Sequence, residues 1–142
     1  MVKSTLEYSS GVSDPHLQKD IHNVERVNRK AARFVLGDHR QQRSVLVMME
    51  KLQWPTLEHR RKNQRLTTMF KIVHGLVAVP TTSLISADSC ARCNHQYKFN
   101  CILASTTAYR NFFYPRTIPQ WNDLDKESAK ATTIDSFKSR LH

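Results

Sequence analysis

Apolar residues recur by threes and fours at Leu17, Ile21, Val24, Val27, Ala31, Phe34 and Val35. That spacing predicts an amphipathic helix over residues 14–36, with one face buried and Arg26, Arg29, Lys30 and Arg33 spread over the rest. Asp14-Pro15 suits its start, because an aspartate caps free N–H groups and a proline has none to lose in the first turn. Gly37 suits its end. After a polar loop at 38–43, Ser44 is placed to cap a short helix whose apolar face is Val45, Leu46, Met48, Met49 and Leu52. Trp54-Pro55 ends it, and Pro55 opens a second long helix. This one changes character along its length: residues 58–65 are strongly polar, whereas Leu66, Met69, Phe70, Ile72, Val73 and Leu76 form a dense apolar stripe. Gly75 predicts termination around Leu76 or Val77.

Beyond Val79 neither the helical nor the strand period persists. Residues 79–119 read as a long connection rich in Ser, Thr, Asn and Cys, with short extended pieces such as 97–103. Residues 119–124 suit a helical turn, and Thr133 or Thr132 suits the cap of a final short helix with Ile134, Phe137 and Leu141 inward. The expected fold class is mainly α, a small bundle of about three to five helices. A long irregular segment near 79–119, with room for a short hairpin, interrupts it. Residues 1–78 form a basic helical region and 79–142 a loop-rich tail with a short terminal helix.

Charge sharpens this picture. The 142 residues carry 22 Lys+Arg against 12 Asp+Glu, a formal net charge of +10, and 39% are hydrophobic, enough for one modest core. From Arg26 to Arg65 there are 11 Lys+Arg and 3 acids, so +8 of the excess lies in the helical half. A polyanion is the partner that balance favours. No run of about 18 apolar residues occurs, so no transmembrane helix or membrane partner is expected. The N-terminus also lacks a secretory pattern, which points to an intracellular location, nucleus or cytoplasm.

Arg26, Arg29, Lys30 and Arg33 lie on one helix, and Arg60, Arg61, Lys62 and Arg65 supply a second strip. Cations so arranged track a phosphate backbone without reading bases, and their binding is steeply salt-dependent. The competing reading is a solvated helix face that keeps the chain soluble. Cys90, Cys93, His95 and Cys101 have the residue types of a zinc knuckle, but one residue between Cys93 and His95 strains a tetrahedral ring. Ordinary reduced thiols are expected there, with no bound metal. The chain has only 3 glycines, all isolated, so no phosphate-cradling loop is present. No nucleophile elbow or His-Glu-x-x-His motif occurs either. His74 is expected to pack or cap locally, and Asp123-Leu124-Asp125 to be a solvated turn. No catalytic residue and no cofactor are predicted.

An ordered series of segments carries a resemblance. It runs from Leu6-Glu7-Tyr8-Ser9-Ser10, Asp14-Pro15-His16-Leu17 and Arg29-Lys30-Ala31-Ala32-Arg33-Phe34-Val35 through Leu52-x-Trp54-Pro55-x-Leu57-Glu58 and Phe70-Lys71-Ile72-Val73-His74-Gly75. It closes on Tyr114-Pro115-Arg116-Thr117-Ile118-Pro119-x-Trp121-Asn122 and Ser136-Phe137-Lys138-Ser139-Arg140-Leu141. The series resembles the region downstream of the reverse transcriptase core in polyproteins of non-LTR (LINE-type, jockey-like) retrotransposons. Ser13 stands where that family commonly has Trp, Asp125 where it has Pro after Leu, and Cys90 and Cys93 where Arg or Thr is usual. The resemblance implies a segment from the end of the thumb and the C-terminal tail, without the catalytic palm and hence without polymerase activity. It also implies an RNA or DNA backbone as partner, with the upstream polymerase core as a second. The rival expectation is a structural module that packs on that core or self-associates through exposed apolar faces, and a small zinc module is a third.

Overall fold

A computed structural model describes residues 15–37, 44–80, 84, 86 and 97–141, and among them the chain is mainly helical. Seven helices occur among the described residues: α1 Gln18–Val35, α2 Val45–Lys51, α3 Leu57–Val73, α4 Thr107–Arg110, α5 Phe113–Asn122, α6 Lys126–Ala129 and α7 Ile134–Arg140. The chain divides into two compact units, Met1–Lys62 and Asn63–His142. The break falls inside α3, whose apolar second half supplies the core of the second unit. Among the described residues no helix is long and apolar enough to cross a membrane.

In the first unit, α1 packs on α2. Helix α1 starts at Gln18 with Leu17 as an uncapped N-terminal residue, later than the predicted Asp14-Pro15 start. It ends as expected, with Gly37 in the left-handed region at φ 65° and its N–H on Phe34 O. The face it buries differs from the predicted stripe. Glu25, Asn28 and Ala32 turn inward, whereas Leu17, Val27, Phe34, Val35 and Leu36 stay exposed, Phe34 at 77%. Met48, Met49, Leu57 and Arg61 complete the buried set among the described residues of this unit. Ser44 precedes α2 as predicted but makes no side-chain cap. Helix α2 closes in a Schellman motif: Trp54 N–H donates to Met49 O (2.9 Å) and Gln53 N–H to Glu50 O (2.9 Å). Gln53 takes the left-handed φ of 50° that this turn requires, a position usually given to glycine.

Helix α3 begins at Leu57, two residues after Pro55, with Thr56 Oγ1 accepting from His59 N (3.3 Å). It stops at Val73 in a second Schellman motif built on Gly75, where Leu76 N donates to Lys71 O (2.8 Å) and Gly75 N to Ile72 O (3.1 Å).

The core of the second unit is Leu66, Met69, Phe70, Ile118, Trp121, Ala131 and Phe137. Phe70 stacks on Phe137 with ring centroids 4.6 Å apart, and Trp121 lies 5.9 Å from Phe137. His74 packs locally, stacked on Phe70 at 3.9 Å with Nδ1 against Phe70 O. The segment predicted as an irregular connection contains α4 and most of α5. Pro115 and Pro119 hide α5 from a periodicity reading. Pro115 falls in the first turn, where it is tolerated, and the interior Pro119 costs about 3 kcal/mol, which the full burial of Ile118 and Trp121 offsets. No hairpin occurs among the described residues, only an isolated antiparallel bridge between Ser86 and Phe99. The extended piece at 97–100 is held instead by side chains of α5. The Asn122 amide donates to Phe99 O (2.8 Å) and accepts from Phe99 N (3.1 Å), as a neighbouring strand would, and Trp121 Nε1 donates to Tyr97 O (2.8 Å).

Two capped helices follow. Asp125 caps α6 through Ser128 N (3.0 Å), and Thr133 caps α7 through Ser136 N (3.2 Å), as predicted for the terminal helix. Hydrogen bonds from Ser128 hold the Asp125 carboxyl below the usual carboxylate range.

Candidate nucleic-acid interface

The first basic strip forms a coherent face. At 3.6 residues per turn, Lys19, His22, Arg26, Arg29, Lys30 and Arg33 fall within an arc of about 100° on α1, over about 21 Å of helix axis. Lys19, His22, Arg26, Arg29 and Lys30 are exposed and Arg33 is half-buried. Lys19 and His22 were not singled out from the sequence, although their seven- and four-residue offsets from Arg26 place them on the same arc. The two acids of α1 lie off it: Asp20 sits beyond the Lys30 edge, and Glu25 points inward.

The inward face orients the helix. Glu25 Oε2 accepts from Leu57 N (2.9 Å), so a carboxylate from α1 meets the first free N–H of α3, where the helix dipole favours negative charge. Asn28 Nδ2 donates to Glu25 Oε1 (3.3 Å), and Asn28 Oδ1 accepts from Arg60 Nη2 (3.4 Å). This polar chain holds Glu25 and Asn28 inward, and the basic arc, centred about 120° around the helix from them, is exposed except at Arg33.

The second strip does not stay together. Of Arg60, Arg61, Lys62 and Arg65, only Lys62 is fully exposed. Arg60 is half-buried and engaged with Asn28, while Arg61 and Arg65 are 9% and 5% exposed. Arg65 Nη2 donates to Gln120 Oε1 (3.2 Å), and burial, then the Arg116 charge, pull its guanidinium down to about 10, still a cation at neutral pH. The reason is register. Arg65 and Met69 stand one helical turn apart, so the ridge that carries Met69 into the core of the second unit takes Arg65 with it, and in the first unit Arg61 follows the buried Leu57 in the same way. Arg61 and Arg65 are thus buried, and the four residues do not form one exposed strip.

Cys90, Cys93 and His95 lie outside the described residues, as does Asp14. Cys101 is exposed, and among the described residues no group of three metal-ligating side chains converges. Comparison of the chain with protein-family models, with curated proteins and with solved structures finds no match.

Proposed function

We propose that this chain is a non-catalytic nucleic-acid-binding segment that grips the sugar–phosphate backbone of RNA or DNA through α1, without reading bases. The observation that carries the reading is the acid-free basic arc of Lys19, Arg26, Arg29 and Lys30, exposed on a helix whose inward face is tethered through Glu25. Four or five cations spaced along one helix neutralise a comparable number of phosphates, and such binding weakens steeply with salt. The role fits the resemblance to the thumb and tail of a retrotransposon reverse transcriptase, in which a helical segment steers a template–primer duplex by its backbone. The test is binding of a generic RNA–DNA hybrid by fluorescence anisotropy at two salt concentrations. Absence of binding at low salt, or binding without a salt slope, refutes the proposal.

A second reading is favoured by the exposed apolar residues of α1, Val27, Phe34 and Val35 among them, which suit docking against a polymerase core or a second copy. Light scattering separates the two: a monomer that binds nucleic acid supports the first reading, and a self-associating chain without binding supports the second.

A further inference from the structure

We infer that the Tyr109–Phe112 pair in the second unit is a stacking platform for the unpaired bases of a single-stranded nucleic acid, with Arg110 on an adjoining phosphate. Tyr109 is 41% exposed and Phe112 62% exposed, yet the turn presenting them is fully built. Thr106 Oγ1 accepts from Tyr109 N (3.2 Å), Thr106 O from Arg110 N (3.0 Å), and Tyr109 O from Phe112 N (3.1 Å). The Asn111 amide adds a bond to Thr107 O (2.7 Å). The rings meet edge to face at 5.8 Å and 73°, which fixes both and leaves ring surface open to solvent. The next residue, Phe113, turns the other way and packs against the core, so the chain had an inward position to offer within one step.

Charge selects the occupant. Residues 89–122 contain no Asp or Glu, and the described part of that stretch carries Lys98, Arg110 and Arg116. Arg110 lies between the two aromatics in sequence and is itself exposed. Exposed aromatic rings with an exposed arginine in the same turn, in a stretch of chain without acids, match the two components of single-strand binding, in which bases stack on rings and the backbone follows positive charge. A duplex, whose bases are already stacked, gains nothing from such rings. The pair belongs to the second unit and the α1 arc to the first, and its outcome is separable from the backbone-binding proposal.

The experiment compares the full chain with a Tyr109→Ala/Phe112→Ala variant by fluorescence anisotropy at low salt. The probes are a labelled oligothymidylate, an abasic strand of the same length and a duplex. The wild-type chain is expected to bind the base-bearing strand at least about 5-fold more tightly than the abasic one, the lower bound of stacking on one base. The variant is expected to lose that preference and keep duplex affinity. A Tyr109→Trp/Phe112→Trp variant, which retains ring faces, is expected to keep it, and circular dichroism checks that both variants fold. Equal wild-type affinity for base-bearing and abasic strands overturns the inference. So does an alanine variant that keeps the preference, or one that loses only a concentration-dependent dimer seen by sedimentation. Loss of duplex binding in an Arg26→Gln/Lys30→Gln variant with the base preference intact speaks to the α1 arc alone.

Discussion

Replacing Glu25 tests whether a single carboxylate sets the orientation of α1. Its Oε2 accepts the N–H of Leu57, a residue only 3% exposed, so Glu25→Ala leaves that donor without its partner and without ready access to water. A hydrogen bond to a charged group contributes about 1.5–3 kcal/mol, and the anion's interaction with the α3 N-terminus adds about 0.3–1 kcal/mol. Part of this is returned because the carboxylate no longer has to be desolvated. The expected loss is about 2–3 kcal/mol, and Glu25→Gln, which keeps an acceptor but no charge, is expected to lose about half of that. In urea titrations followed by far-UV circular dichroism, the alanine variant should unfold at a midpoint lower by about 1–2 M, for a denaturant slope typical of small proteins. Because Asn28 Nδ2 donates to the other carboxylate oxygen, a double-mutant cycle with Asn28→Ala should show coupling of at least about 0.5 kcal/mol. A Glu25→Ala variant within about 0.5 kcal/mol of wild type, the range of ordinary surface substitutions, would refute the tether.

Four further outcomes are expected. Duplex affinity should fall with a log–log salt slope of about −4, from four or five neutralised phosphates, and Arg26→Gln/Lys30→Gln should reduce its magnitude by about 2, whereas Arg65→Gln, at a buried position, should leave the slope unchanged. Gln53→Gly should stabilise the chain by about 0.5–1 kcal/mol by relieving a left-handed side-chain conformation, read as a raised urea midpoint. Phe137→Ala should cost about 3–5 kcal/mol, because the ring is fully buried between Phe70 and Trp121, and should red-shift Trp121 fluorescence. The carboxyl of Asp125 is held below its unfolded value, so its contribution is present above about pH 4 and is lost as pH falls toward the depressed folded value. Asp125→Asn should therefore shallow the acid limb of the stability curve; an unchanged limb counts against the cap.

Legibility followed the source of each element's stability. The end of α1 and the cap of α7 were readable because local chemistry fixes them: Gly37 takes left-handed backbone, and Thr133 caps through Ser136 N. Gly75 marked the turn after α3, but the helix stops at Val73 rather than near Leu76 or Val77, because the left-handed glycine lies beyond the cap and not inside the last turn. Helix α5 was not readable, because its two prolines speak locally against a helix that the burial of Ile118 and Trp121 maintains from a distance. The role of Asn122 was equally hidden. An asparagine that pairs with both backbone groups of Phe99 replaces a strand, and nothing in its own neighbourhood marks it. The basic arc was half legible. Periodicity placed Arg26, Arg29, Lys30 and Arg33 together, but reading Arg60, Arg61, Lys62 and Arg65 as one strip overlooked that Arg61 and Arg65 fall on the buried side of α3.

The rotated face of α1 has the same origin in contacts made at a distance. Hydrophobicity alone would turn Val27, Phe34 and Val35 inward, yet they are exposed while Glu25 and Asn28 are buried. At 100° per residue the apolar stripe and the buried set are rotated by about 70–100° from one another, so both cannot face α2 at once. Burying a carboxylate is costly unless it is hydrogen-bonded, and here both oxygens have donors, one of them the free first N–H of α3. That N–H needs an acceptor in any arrangement that buries Leu57. The polar tether thus satisfies two groups at once, and exposed apolar area on α1 is its consequence. With the apolar stripe inward, Arg29 and Arg33 would rotate to the centre of the exposed face and Lys30 toward its margin, which the same salt-slope series on a Glu25→Ala variant would register.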